Sequence, residues 1–412
     1  MAVLERLEAE MTRAGSFELD LGDEEFRQNA RDVYAPRWAT QAPFYARRQG
    51  MPVVLCTQAK DFREVMGDPA RFAMKVPDIP GYEAFDIFGG LESVLQMDGE
   101  RHNRVRRLMT PAFAPAQLLK LRPAVEQIVE RRLDHIEASG TSFDAMPDFC
   151  DHLIVGSLLE ATFNLEPSQR AAFERVHRAI FALNFHPGKV RPQEYLDAIA
   201  GVRLVLAEII EDRRREPRDD FISRLIIACD HDDRLHDAEL EGQINTVCGA
   251  ALGSTATSLA AALFLLGQRP ETFDRVKQDD ALVDGALEEC VRMHCPGMFV
   301  FPRFATEDTE VNGTFIPAAS VVMASPQAAN FDPVEFADPL RLDVTRQARN
   351  MSFGMGVHHC IGVLLARTTM RIGMRALIRR FPNIRLADPD FRPTYGGNVG
   401  TLTIKSLPMR WD

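Results

Sequence analysis

Ser352-Phe353-Gly354-Met355-Gly356-Val357-His358-His359-Cys360-Ile361-Gly362 is the most informative stretch of this 412-residue chain. Gly354 and Gly356 lie two apart and Gly362 closely follows the cysteine, so backbone can pack tightly around one sulfur. The helix-like run Val363 to Ala376 begins at once, which places Cys360 near a helix amino terminus. Free N–H groups and the positive end of the helix dipole stabilise a thiolate there.

Taken alone, the stretch reads as a Gly-rich turn with a buried free cysteine, as a His-His-Cys zinc site lacking a fourth ligand, or as a thiolate ligand for haem iron. The whole pattern resembles the haem-binding signature of the cytochrome P450 superfamily, Phe-Gly-x-Gly-x-His-x-Cys-x-Gly, and matches it at every fixed position. The resemblance implies a mainly α fold with a small β portion around a buried haem b. It also implies that Cys360 is the axial ligand and that Phe353 and Gly354 touch the cofactor.

Working outward, Glu289-Cys290-Val291-Arg292 matches the family's Glu-x-x-Arg, a pair one helical turn apart that locks the fold. His102 and Arg106, one turn apart in His102-Asn103-Arg104-Val105-Arg106, resemble the helix that grips the haem propionates, and Arg303 and His358 match two further propionate partners. The resemblance spans roughly Arg71 to Trp411, and residues 1–412 are expected to form a single domain.

One departure is chemical. Where the family usually carries an acid and an alcohol that relay protons, this chain has Ala250-Ala251-Leu252-Gly253-Ser254-Thr255, with Gly253 in place of the acid and Ser254 in place of the alcohol. No Asp or Glu lies between Asn245 and Gln268, so no shift of register restores one. Ser254 or Thr255 can still hold a water, or the serine simply packs while the glycine relieves crowding at a helix kink. Phe331 and Thr369 are lesser departures, away from the iron.

Family topology puts four apolar or aromatic segments over the substrate side: Met74 to Phe88, Phe181 to Pro187, Met298 to Phe301 and Gly396 to Leu402. Phe85, Phe185, Thr246, Gly249, Ala250, Met298, Phe299, Val300 and Leu402 are the candidate pocket residues. Lys75 and Asn398 are the nearest polar candidates.

Composition sets the frame. With 46% hydrophobic and 26% charged residues the chain reads as globular, and a net charge of -11 offers no footprint for nucleic acid. Acidic residues interrupt the amino terminus, and the longest apolar run, Ala256 to Gly267, is broken by Thr257 and Ser258, so neither a signal peptide nor a membrane span is expected. Seven cysteines without CxxC pairing point to a reduced, cytoplasmic protein.

Apolar stripes predict helices over Leu121 to Ile136 and Tyr195 to Ile210, and the all-round apolar stretch Glu241 to Gly267 predicts a central one. Strand signals are few: Pro52 to Thr57, the Asn312-Gly313 hairpin and Ser320 to Met323.

The expected function is a monooxygenase that oxidises a hydrophobic small molecule with O2 and electrons from a ferredoxin and its reductase. Arg101, Arg104, Arg107, Arg349 and Arg371 resemble the basic cluster on which an acidic ferredoxin docks. The altered relay leaves open a peroxide-driven or non-oxygenating haem-thiolate enzyme, and a haem-binding sensor or ligand carrier is the reading from another class.

Overall fold

The stretch without charges becomes the longest helix, Asp237–Gly267. Its start is capped by Glu239, which accepts the His236 backbone N–H at 3.2 Å, and Asp237 and Glu239 complement the dipole in the first turn. Both halves are buried, Leu240 and Ile244 in one apolar cluster and Ala256 to Leu266 in another, so the helix runs through the middle of the protein. The computed structural model describes residues 2–86, 90–182, 193–229, 235–347, 349–397 and 400–412.

This helix corrects one expectation. By length and composition it is apolar enough to cross a membrane, yet 67% of its most apolar window is buried within the protein. Its hydroxyls do not break it: Ser254 Oγ donates to the Ala250 carbonyl at 2.6 Å and Ser258 Oγ to the Ser254 carbonyl at 2.9 Å, while Thr257 Oγ is buried without a hydrogen-bond partner among the described residues. The helix is also continuous through Gly253.

The predicted stripes form Pro115–Ala138, which buries Val125, Ile128, Val129, Leu133 and Ile136, and Gln193–Arg215, which buries Val202, Leu206 and Ile209. Val363–Arg380 follows the cysteine loop as expected.

Strands are more numerous than predicted. A six-stranded sheet runs in the order Ser16–Asp20, Phe44–Arg48, Met51–Cys56, Val321–Ala324, Arg303–Ala305, Phe72–Ala73. Only Met51–Cys56 and Val321–Ala324 were legible, because both are apolar at every position; the others are two to five residues long, too short to show a period. The Asn312-Gly313 turn forms as predicted, with φ of 49° and 80°, joining Thr309–Val311 to Thr314–Ile316.

Candidate functional site

The cysteine loop owes its shape to its glycines. Gly354 and Gly356 have φ of 67° and 68°, and a Cβ on Gly356 would stand 2.4 Å from the Met66 carbonyl oxygen. The Cys360 N–H donates to the Phe353 carbonyl at 2.9 Å, closing the loop, and Phe353 lies under the Arg367 guanidinium at 5.0 Å. Burial pushes the Cys360 thiol up, against the pull of the Gly362 N–H and of the Arg106 and Arg367 charges. Among the described residues no three His, Cys, Asp or Glu side chains converge as a metal site, which disfavours the zinc reading.

Next to the sulfur lies a set of donors that are only partly satisfied. The rings of His102 and His358 are 4.2 Å apart, and Arg106 donates to the carbonyl of His359. His102 Nε2, both ring nitrogens of His358 and Arg303 Nε are buried with no hydrogen-bond partner. Burial drives His358 down to about 2, with Arg303, His102 and Arg106 adding to the effect, and drives Arg303 down to about 10. Asp98, the acid whose charge reaches both Arg303 and His102, is already engaged by the Met74 and Lys75 N–H groups. Buried donors in this state call for anionic acceptors, and a pair of carboxylates fits.

Part-way along its length the central helix opens. Gly249 to Ser254 are accessible in a helix buried on both sides of them, and Ala250 is the most exposed. Ile361 beside the cysteine and Ala251 and Leu252 of the helix pack against the same apolar cluster. A Cβ on Gly253 would meet no atom within 4 Å. A planar cofactor with two carboxylate arms and a thiolate-seeking metal suits this arrangement: one sulfur, four donors and an accessible helix face.

The profile of the cytochrome P450 family matches residues 40–408. The chain belongs to that family. It is 32% identical to the mycinamicin IV hydroxylase/epoxidase of Micromonospora griseorubida over 361 residues, which are 87% of this chain and 89% of that one. It is also 32% identical to the nocardicin C N-oxygenase of Nocardia uniformis subsp. tsuyamanensis over 386 residues, 92% and 94% of the two chains. Among solved structures, Bacillus subtilis P450 PksS superposes with a TM-score of 0.85 at 27% identity, covering 96% of this chain and 100% of its own. Myxobacterial CYP267B1, solved with myristic acid, gives 0.85 at 27% identity and covers 95% of this chain and 98% of its own. This P450 is therefore a monooxygenase-class oxidoreductase that binds haem b through a cysteine thiolate.

The other sequence candidates divide. Glu289 and Arg292 meet in two hydrogen bonds, 2.8 and 2.9 Å, both side chains buried. Sequence reading missed the third partner, Arg346, whose Nε lies 3.0 Å from Glu289 Oε1; it lies in an irregular segment with no motif to mark it. Phe331 and Phe336 flank the Arg292 guanidinium, so the departure at Phe331 is used in packing. Thr369 is buried on the helix after the cysteine.

Of the pocket candidates, Gly249, Ala250 and Val300 are accessible, whereas Phe85, Met298, Phe299, Leu402 and Thr246 are buried. Thr246 spends its hydroxyl on the Gly242 carbonyl and Ser93 Oγ, 2.6 and 2.7 Å away, and Phe299 stacks on Phe26 at 6.3 Å within the sheet-side core. These two lean toward structure rather than substrate contact. Met298 and Leu402 are tied together, since the Met298 N–H donates to Gly400 and the Leu402 N–H to Pro296. Phe185, Phe88 and Asn398 lie outside the described residues, and Lys75 is exposed.

Within the basic cluster, Arg101 and Arg104 pair with the buried carboxylate of Glu239 at 3.1 and 2.6 Å, and Arg371 pairs with Asp284 at 3.2 Å, while the Arg101 side chain stays half-exposed. A sequence count of arginines cannot see a buried acid beneath them.

Proposed function

We propose that this P450 inserts one oxygen atom into a hydrophobic small molecule in the cytoplasm, using O2 and electrons from a ferredoxin and its reductase. The observation that carries the reading is the set of buried donors without partners, His102 Nε2, both His358 ring nitrogens and Arg303 Nε, beside the Cys360 loop. Cys360 supplies the thiolate, while His102, Arg106, Arg303 and His358 hold the two propionates. When bound there, haem b supplies the dioxygen-activating chemistry.

The chain's own part is positioning and proton supply. Ser254 Oγ donates to the Ala250 carbonyl, which leaves its lone pairs turned to accept from a water, and Thr255 is buried one residue on. With no carboxylate at position 253, a water held at Ser254 or Thr255 must bring protons inward. A positioned acid is worth roughly 10²–10⁴-fold in a proton-limited step. Wild type is therefore expected to lose NADH equivalents to peroxide, and Gly253→Asp, whose Cβ meets no atom within 4 Å outside its own helix turn, to raise product formed per NADH several-fold. Gly253→Ala is the control for shape. Tight coupling in wild type with no gain from the acid would show that protons arrive by another route.

Peroxide-driven oxidation is the second reading, favoured by the same glycine. Product formation with a ferredoxin system and NADH, set beside formation with peroxide alone, separates the two. Failure of both with every ligand that shifts the haem spectrum would favour a sensor or carrier.

A depression of about 530 Å³ beside Cys360, lined by Arg106, Arg107, Pro111, Phe113 and Leu364, supports docking of the electron donor on this face. Arg107→Glu is expected to slow reduction of the haem and to flatten its salt dependence. Arg104→Glu is expected instead to lower thermal stability, because it sets a like charge against buried Glu239. Equal reduction rates for wild type and Arg107→Glu across a salt titration would remove this face from consideration.

A further inference from the structure

The helix Gly99–Met109 carries two pairs of cationic side chains on different faces. His102 and Arg106, four apart, face the Cys360 loop, with the His102 ring 4.2 Å from that of His358 and Arg106 donating to the His359 carbonyl. Arg101 and Arg104, three apart, meet one carboxylate, that of Glu239. At about 100° per residue the midlines of the two pairs lie roughly 150° apart round the helix, with buried Val105 and Met109 between them.

Glu239 is firmly held. Its side chain is 1% exposed, and its two oxygens accept from Arg104 Nη2 at 2.6 and 2.8 Å, from Arg101 Nε at 3.1 Å and from the His236 N–H at 3.2 Å. Burial pushes the carboxyl up, but these bonds outweigh it and keep the group below the ordinary carboxylate range, so it stays charged. Gln243, one turn on, fixes the segment that leads into Gly99–Met109: its amide accepts from the Val94 N–H at 2.9 Å and donates to the Glu92 carbonyl at 2.6 Å. The first turns of Asp237–Gly267 are therefore the frame against which the shorter helix is set.

Gly99–Met109 has only about three turns, and the apolar contacts of Val105 and Met109 are non-directional, so they leave it free to roll. Charge-assisted bonds are directional. A roll that carried Arg101 and Arg104 away from Glu239 would swing His102 and Arg106 through the same angle.

We propose that Glu239 is a positioning residue for haem retention, fixing the roll of Gly99–Met109 so that His102 and Arg106 meet the propionates. The proposal rests on the propionate assignment above and adds the residue that aims two of its four members.

The test follows haem loss from the haem-loaded protein to excess apomyoglobin, read in the visible spectrum, beside the melting temperature of each variant. E239Q keeps the size of the side chain but removes its charge, and is expected to speed haem loss about tenfold, the lower end of the effect of losing a partner that orients a ligand. H102A is expected to speed it as well, and E239Q/H102A by clearly less than the product of the two single effects, because both act in part through one contact. D144N is the control for stability alone: Asp144 accepts from the Leu407 N–H at 2.7 Å beside the pairing of Ser142–Asp144 with Pro408–Arg410, and its loss is expected to lower the melting temperature without speeding haem loss. Unchanged haem loss in E239Q, single effects that multiply in full, or equally fast loss in D144N for the same drop in melting temperature overturns the positioning role. Unchanged haem loss in H102A removes the propionate assignment and the proposal with it, whereas faster loss in H102A but not in E239Q removes Glu239 alone. Should E239Q fail to fold, R104K, which keeps the charge but not the guanidinium geometry, is expected to give an intermediate rate and decides by the same comparison with H102A.

Discussion

Cys360→His is expected to abolish the thiolate-type absorption of the reduced carbon-monoxide complex and to give an imidazole-type band, with weaker haem retention and loss of oxygenation. The thiolate is the source of the first spectrum and of the electron density that favours O–O cleavage. Cys56, Cys150, Cys248, Cys290 and Cys295 are buried, and burial raises each of them above the ordinary thiol range. Cys360 instead sits in a glycine-shaped loop beside the His102, His358, Arg106 and Arg303 donors. A retained thiolate-type spectrum in Cys360→His would mean another cysteine is the ligand. Cys295→Ala is the matching control and should leave the spectrum unchanged.

The second large effect is at Arg292. Its guanidinium makes two bonds to Glu289 and donates to the carbonyls of Asn330 and Pro339 at 2.7 and 2.9 Å, so one side chain holds a helix to the segment leading into the cysteine loop. Arg292→Ala leaves Glu289 buried with one fewer partner and two carbonyls without donors. Breaking a buried pair costs about 3–5 kcal/mol, against a total stability of about 5–15 kcal/mol. The expected result is little or no soluble haem-loaded protein. Arg292→Lys keeps the charge but loses the planar fork, and should give a folded protein with a clearly lowered melting temperature. An Arg292→Ala enzyme with wild-type haem content and melting temperature would show that Arg346 alone satisfies Glu289.

Much of the site was legible because its residues are near one another in sequence and each type is required by local chemistry. Gly354, Gly356, His358 and Cys360 lie within seven residues, and Glu289 with Arg292 and His102 with Arg106 are helix-turn pairs, so spacing alone carries them. The long helices were legible for a similar reason: a 3.6-residue period repeats over enough positions to stand out in Leu121 to Ile136. The four missed sheet strands had no such length.

By itself, then, the sequence determined the mainly α architecture, the cysteine loop and the helix-turn pairs His102 with Arg106 and Glu289 with Arg292, all written in short-range patterns. The tertiary structure decided what depends on distant residues meeting. It paired Arg101 and Arg104 with Glu239, and it brought Arg346 to Glu289 across 57 positions. It committed the Thr246 hydroxyl to Ser93. Charge and hydroxyl side chains take their role from what they face when buried, and a linear chain does not specify that until its elements have packed.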